Sequence, residues 1–272
     1  MTFDDVKRRG LVMLGCGKMG GAMLEGWLAR DLPPASVHVI DPHPAAWLTD
    51  RGVQTNGRLP DDPAVALVAV KPQMMADALP QLAPFGGGRT LVISVAAGTP
   101  ISYFEQVLGP GTRVIRAMPN TPAAIGKGIT AIFGNAVTTD ADMALADSLL
   151  QAIGQVVRLQ TEDQIDAVTG VSGSGPAYVF YMIDALAAAA RAEGLPDDMA
   201  MQLAKATVAG AGALAEATDD TPEQLRINVT SPNGTTQAGL AVLMDADGGL
   251  GPLMRRTVAA AAGRSRELKG SA

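Results

Sequence analysis

Cysteine and histidine are nearly absent: one cysteine, Cys16, and two histidines, His38 and His43, stand in 272 residues. A single thiol cannot close an internal disulfide, so nothing points to an oxidising compartment. These three side chains give almost no material for a zinc or copper site, and no metal is expected. A Ser-His-Asp or Cys-His nucleophile is just as poorly supplied. Charge is scarce too, at 18% of residues, and 21 basic residues face 27 acidic ones; a net −6 with no basic run argues against nucleic acid as a partner. No stretch approaches the roughly 20 apolar residues of a membrane helix. Lys7, Arg8 and Arg9 do precede an apolar run, Leu11–Leu14, but that run meets Gly15 at once and Lys18 soon after. It has the length of a strand and is too short for an export signal. A cytoplasmic protein is expected.

What is present is apolar side chain, 47% of the whole, enough to bury a large core in one or two domains. The chain changes texture near residue 160. Before it, short runs rich in Val, Ile and Leu alternate with turn clusters: Gly10–Leu14, Val37–Ile40, Ala66–Val70, Thr90–Val95, Arg113–Ala117, Gly128–Phe133 and Val156–Leu159. Such runs read as strands buried on both faces. Helical stretches separate several of them, at Met19–Arg30, Met74–Gln81, Ile101–Leu108 and Ala141–Ile153. That alternation predicts a parallel sheet covered by helices. From Asp163 onward come alanine-rich helical runs, Ala177–Glu193, Pro196–Ala217, Thr235–Asp245 and Gly251–Leu268, and no strand. The expected domains are 1–162 and 163–272. Between Tyr178 and Ala190 only Asp184 is charged. A helix so apolar must be buried nearly all round, and a small helical domain cannot hide it alone, so an obligate homodimer is expected.

Gly15-Cys16-Gly17-Lys18-Met19-Gly20 fits G-x-G-x-x-G, with a strand before it and a helix after it. The first glycine permits the tight turn, the second lets backbone touch a pyrophosphate, and the third lets helix and strand pack closely. The helix start offers free N–H groups to phosphate. The next strand ends at Asp41, where a carboxylate commonly accepts hydrogen bonds from the ribose of NAD. The plainer alternative is a solvated Asp-Pro turn. Cys16 reads as a small side chain that fits the loop rather than a reactive thiol.

Further segments then join the loop. They are Val68-Ala69-Val70-Lys71-Pro72-Gln73, Arg116 through Pro122, Asp166 through Gly170, Ser172 through Tyr178, and Leu225 through Thr236 with its Ser231-Pro232-Asn233-Gly234-Thr235-Thr236. Together, and over essentially the whole chain, these resemble the pyrroline-5-carboxylate reductase family. The resemblance implies an α/β Rossmann-type dinucleotide-binding domain followed by an all-α dimerisation domain, with dimers often built into decamers. It implies hydride transfer from NADPH or NADH to the C=N bond of 1-pyrroline-5-carboxylate, the last step of proline biosynthesis. By position it assigns Gly15, Cys16, Gly17, Lys18, Met19, Gly20, Asn56, Ala69, Val70, Lys71, Pro72, Val95, Ala96 and Ala97 to the cofactor. Glu162, Asp219, Asn228, Thr235 and Thr236 fall at or near the cofactor and proline pocket. Two positions depart from the family pattern. Asn233 stands where the first glycine of Ser-Pro-Gly-Gly-Thr-Thr is usual, a residue that tolerates left-handed angles. Asp41-Pro42 stands where many relatives carry a residue suited to NADP.

The substrate's carboxylate needs donors. The turn Ser231–Thr236 runs into a helix start and so presents backbone N–H groups, with the hydroxyls of Ser231, Thr235 and Thr236 beside them. An ordinary threonine cap is the competing reading. Thr236 is the candidate for hydrogen bonding the ring nitrogen and relaying a proton from water. Lys71 is read as a backbone contact, a general acid being the weaker alternative. A β-hydroxyacid dehydrogenase would want a lysine framed by glycines in its helical half, and Lys205 lacks that frame. A sensor that binds dinucleotide without turnover is the other rival.

Overall fold

The structure is a computed structural model and describes residues 3–269; the outer ends of the expected domains, residues 1–2 and 270–272, lie outside the described residues. The chain divides into two compact units. One runs through Gly173 and includes the segment from Ala261 onward; the other is Ser174–Ala260.

In the first unit α1 (Phe3–Arg9) leads into β1 (Leu11–Leu14), α2 (Lys18–Leu28), β2 (Val37–Ile40), α3 (Ala46–Asp50), β3 (Gln54–Thr55) and β4 (Val65–Val68). Then follow α4 (Met75–Ala78), β5 (Leu91–Ser94), α5 (Ile101–Leu108), β6 (Arg113–Met118), β7 (Gly128–Gly134), α6 (Asp140–Leu150), β8 (Gly154–Arg158) and α7 (Gln164–Val168). The strands form one sheet in the order β3-β2-β1-β4-β5-β6-β7-β8. Alternate residues of each strand enter opposite cores, as the period of two requires. Leu11, Met13, Val37 and Val39 pack with Trp27 of α2 and Leu149 of α6. Val12, Leu14, Val68 and Val92 pack with Leu79, Phe85 and Phe104 on the other face. Each core has its own helices, so the sheet is covered on both sides.

The structure departs from the expected parallel sheet at β7, which pairs antiparallel with β6. Residues 119–127 between them hold only a 3₁₀ turn, Thr121–Ile125, and no crossover helix of the length a parallel return needs. The expected helix Met74–Gln81 is also broken up: α4 holds one turn, flanked by 3₁₀ segments Pro72–Met74 and Leu79–Phe85. Pro80 and Pro84 withhold the N–H groups a continuous helix would use. β8 is the sheet's edge and is half exposed rather than buried on both faces.

The second unit holds α8 (Gly175–Ala192), α9 (Asp197–Ala217), α10 (Pro222–Asn228), α11 (Thr235–Leu243) and the start of α12 (Leu250–Lys269). α8 turns at Gly194, with φ +91°, and packs along α9. The fully buried positions of this pair are Ala187, Ala200 and Ala204, small residues that let two helix axes approach closely. The expectation that α8 is buried all round does not hold within one chain: Phe180 is 60% and Tyr181 74% exposed. Among the described residues no helix is long and apolar enough to cross a membrane.

Trp27 is buried between α2 and the sheet and donates from Nε1 to the carbonyl of Leu149 at 2.7 Å. Trp27→Ala should lower stability by about 3–5 kcal/mol in chemical denaturation, the cost of an emptied aromatic site.

Candidate active site

β1 lies between β2 and β4, whose connections leave in opposite directions. Beyond its carboxyl end the chain order reverses, the crevice where open α/β sheets take ligands. The glycine loop occupies this point. Gly15 has φ +84°, and a Cβ there would stand 2.8 Å from Val70 Cγ1 and 3.0 Å from the carbonyl oxygen of Ala69. Gly20 would set a Cβ 3.1 Å from the Gly15 oxygen, so its bare backbone lets α2 close on the loop. Gly17 differs, because a Cβ there would meet nothing within 4 Å. The first helical bond of α2 runs from the Gly21 N–H to the Gly17 oxygen at 2.8 Å. The four N–H groups before it, Gly17 through Gly20, have no partner inside the helix. An open cradle with aimed donors is what a dinucleotide pyrophosphate requires, so the residues present fit that group.

The loop is braced from β2. Asp41 Oδ2 accepts the Cys16 N–H at 2.8 Å, and Asp41 Oδ1 accepts the His43 N–H at 2.8 Å. Asn56, held at φ +50°, accepts from the Asp41 N–H and donates to the Asp41 carbonyl. Asp41 therefore shapes the glycine loop, and each of its oxygens keeps a lone pair for a further donor. Asp41 and Asn56 rim a cleft of about 360 Å³ walled by Leu14, Ile40, Val70 and Ala78, mostly apolar as an adenosine seat would be. Cys16 is half-buried. Burial first, then the charges of Asp41 and Glu25, push its thiol up to about 11. At neutral pH it stays protonated, and its service to the loop is its backbone N–H.

The next two strand ends lie alongside. The Ala69 N–H bonds to the Leu14 carbonyl at 2.8 Å and the Val95 N–H to the Val68 carbonyl at 3.0 Å. Ala69, Val70, Lys71 and Pro72, then Val95, Ala96 and Ala97, thus continue the edge that Gly15 to Gly20 begin. Lys71 is exposed and precedes the 3₁₀ turn at Pro72. Lys18 and Met19 begin α2 at the same edge.

Glu162 meets this edge at the end of the segment that follows Ala97. Its Oε1 accepts from Arg116 Nη1 at 2.6 Å and from the Ile101 N–H at 2.9 Å. Asp219, Asn228, Ser231, Asn233, Gly234, Thr235 and Thr236 all belong to the second unit. Asn228 ends α10, where it accepts from Gln224 Nε2 at 2.7 Å. Asp219 is exposed in the link before α10. Asn233 adopts φ +58°, the left-handed angle expected of it. Gly234 caps α11 without a side-chain bond, and the first helical bond is Ala238 N–H to Gly234 oxygen. The N–H groups of Thr235, Thr236 and Gln237 are thereby left without a partner in the helix. Gln237 reaches back to accept the Asn233 N–H and fixes the turn. Ser231, Thr235 and Thr236 are exposed beside these donors.

Taken together, the Rossmann-type sheet, the open glycine cradle at its switch point and the separate helical unit define a dinucleotide-dependent oxidoreductase. A family model described as NADP oxidoreductase, coenzyme F420-dependent, matches residues 11–98, and one described as pyrroline-5-carboxylate reductase dimerisation matches residues 162–268. The pyrroline-5-carboxylate reductase of Pseudomonas aeruginosa is 36% identical over 264 residues, 95% of this chain and 96% of the relative. That of Synechocystis is 42% identical over 92% of this chain and 96% of its own. The structure of a pyrroline-5-carboxylate reductase from Coxiella burnetii superposes with a TM-score of 0.88 at 33% identity, covering 96% of this chain and 98% of that one. The chain belongs to the pyrroline-5-carboxylate reductase family.

Gly17→Val should separate binding from folding. The position is open and its φ of −74° suits any residue, so the melting temperature should hold. The added branches occupy the pyrophosphate cradle, and Kd for NADH measured by fluorescence titration should rise about ten-fold or more.

Proposed function

We propose that this chain reduces 1-pyrroline-5-carboxylate to L-proline with NAD(P)H, the last step of proline biosynthesis. The observation that carries this reading is a pair of donor sets of different kinds. Four unpartnered N–H groups at the start of α2 suit a pyrophosphate; those of Thr235, Thr236 and Gln237, beside three hydroxyl side chains, suit one small carboxylate. Gly15 through Gly20 hold the pyrophosphate, Asp41 and Asn56 the adenosine, and Ala69–Pro72 and Val95–Ala97 the length of the cofactor toward its nicotinamide. Asp219 is a further candidate for the substrate and Asn228 for the cofactor. Reduced nicotinamide supplies the hydride when bound.

The chain's own task is orientation and proton management. The N–H groups of Thr235, Thr236 and Gln237, with the hydroxyls of Ser231 and Thr235, grip the carboxylate, while Asn233 and Gly234, whose own N–H groups are engaged within the turn, shape it. The protonated imine is the better hydride acceptor, because positive charge on nitrogen makes the ring carbon electrophilic. Thr236 donates a hydrogen bond at the ring nitrogen and passes on a proton from water. The functional boundary is placed at 162/163, one residue from the start of the dimerisation match at residue 162. The exposed apolar residues of α8 support an obligate homodimer, and the family resemblance supports assembly into larger rings. The composition supports a cytoplasmic location and no nucleic-acid partner.

Thr236→Ala should lower kcat/KM by roughly ten- to a thousand-fold, the reach of one or two well-placed hydrogen bonds, in an assay of nicotinamide absorbance with pyrroline-5-carboxylate. An unchanged rate would remove Thr236 from the mechanism. The same assay run with both cofactors tests Asp41. Its carboxylate welcomes ribose hydroxyls and repels a 2′-phosphate, so NADH should serve at least as well as NADPH. A large NADPH preference would take the ribose role away from Asp41.

A further inference from the structure

We propose that Glu162 is a positioning residue for hydride transfer, acting through the segment Val95–Pro100 rather than by touching substrate. This rests on the reading that Val95–Ala97 lines the nicotinamide. The segment leaves β5 at Ser94 and ends where α5 begins at Ile101. Both ends are held by polar bonds. At its start, Ser94 Oγ accepts the Ala96 N–H at 3.2 Å. At its end the capping residue Pro100 offers no side-chain acceptor, and the Ile101 N–H instead bonds to Glu162, 61 positions along the chain.

The same carboxylate oxygen takes Arg116 Nη1 at 2.6 Å. Arg116 stands on β6 in register with Ser94, and its side chain is 5% exposed. A cation so deep in a sheet needs an anion, and the charge-assisted bond fixes where that anion can be. Arg116 is thus the anchor that sets Glu162, and Glu162 sets the first N–H of α5. The helix start favours the negative charge as well. Between these two ends Thr99 is buried and Gly98, at φ +75°, lies against Leu268 of α12. A short segment pinned this way has little freedom to change its distance from a ring stacked on it. A loss of a few tenths of an ångström there is paid in the chemical step and not in adenosine binding.

An ion pair of purely structural value would give the same picture, so the test separates the two. Glu162→Gln keeps the size and one acceptor but strands a buried cation. The double variant Arg116→Leu/Glu162→Leu removes both charges, and with them the acceptor for Ile101. Melting temperature, Kd for NADH, Kd for ADP-ribose and kcat with NADH and [4-²H]NADH are measured for each. Glu162→Gln should melt lower than the parent, and the double variant should regain most of that loss. Its kcat should nevertheless stay about ten-fold down, with a raised deuterium isotope effect, while Kd for ADP-ribose stays within about two-fold. Recovery of kcat together with melting temperature overturns the proposal, as does an ADP-ribose affinity that falls as far as that of NADH. Ala97→Trp marks the underlying reading. If it leaves NADH binding and turnover untouched, the nicotinamide placement fails and takes the proposal with it. If it impairs both while the Glu162 variants turn over normally, the proposal fails alone.

Discussion

Everything the first unit offers a ligand depends on one turn, the passage from β1 into α2, being made almost without side chains. Gly15 must be bare because Val70 and Ala69 press on it; Gly20 must be bare because α2 presses on the Gly15 carbonyl. Those two close approaches bring the helix start to the switch point of the sheet. There its unpaired N–H groups face the crevice instead of the core, and Gly17 keeps the space in front of them empty. The turn is not self-supporting. Asp41 holds the Cys16 N–H and Asn56 holds Asp41, so three strand ends share one hydrogen-bonded frame. A carboxylate so placed ties the ends of β1, β2 and β3 together at the mouth of the crevice.

The second unit is built on the opposite economy. Its helices are rich in alanine, its buried positions are three alanines and Gly249, and its larger apolar side chains, Phe180, Tyr181 and Leu203 among them, face outward in a single chain. Such a surface marks an interaction site. The match to the family's dimerisation description explains the pattern, since a second copy supplies what one chain lacks. One turn of this unit, set by the left-handed backbone of Asn233 and the reach of Gln237, leaves backbone donors and hydroxyls exposed together.

Features carried by neighbouring residues were legible in the sequence. The glycine loop, the strand Val37–Ile40, the strand Arg113–Met118 but for its last residue, the helix Ile101–Leu108 and the angle of Asn233 all follow from local pattern and turn chemistry. Features that depend on distant partners were not. Nothing near Glu162 in the sequence shows that it closes on Arg116 and Ile101, 46 and 61 positions away. Asp41 reads as a ribose ligand, and its bond to Cys16 emerges only when β1 and β2 lie side by side. The reversal of β7 had a local sign, the missing helix between two apolar runs, and the broken helix after Pro72 had another in Pro80 and Pro84. The exposure of α8 could be foreseen only as a contradiction: a helix too apolar for water in a domain too small to bury it.

The central claim is that hydride passes from a nicotinamide held at this switch point to the ring carbon of a cyclic imine. Its most direct test is to follow the hydrogen. Purified protein is given pyrroline-5-carboxylate and NADH deuterated at C4 on either face, and the product is examined by mass spectrometry and proton NMR. The account predicts L-proline carrying one deuterium at C5, from one of the two faces only. Tight binding of NADH with no deuterium in proline would contradict it, and would leave a dinucleotide-binding protein without this chemistry.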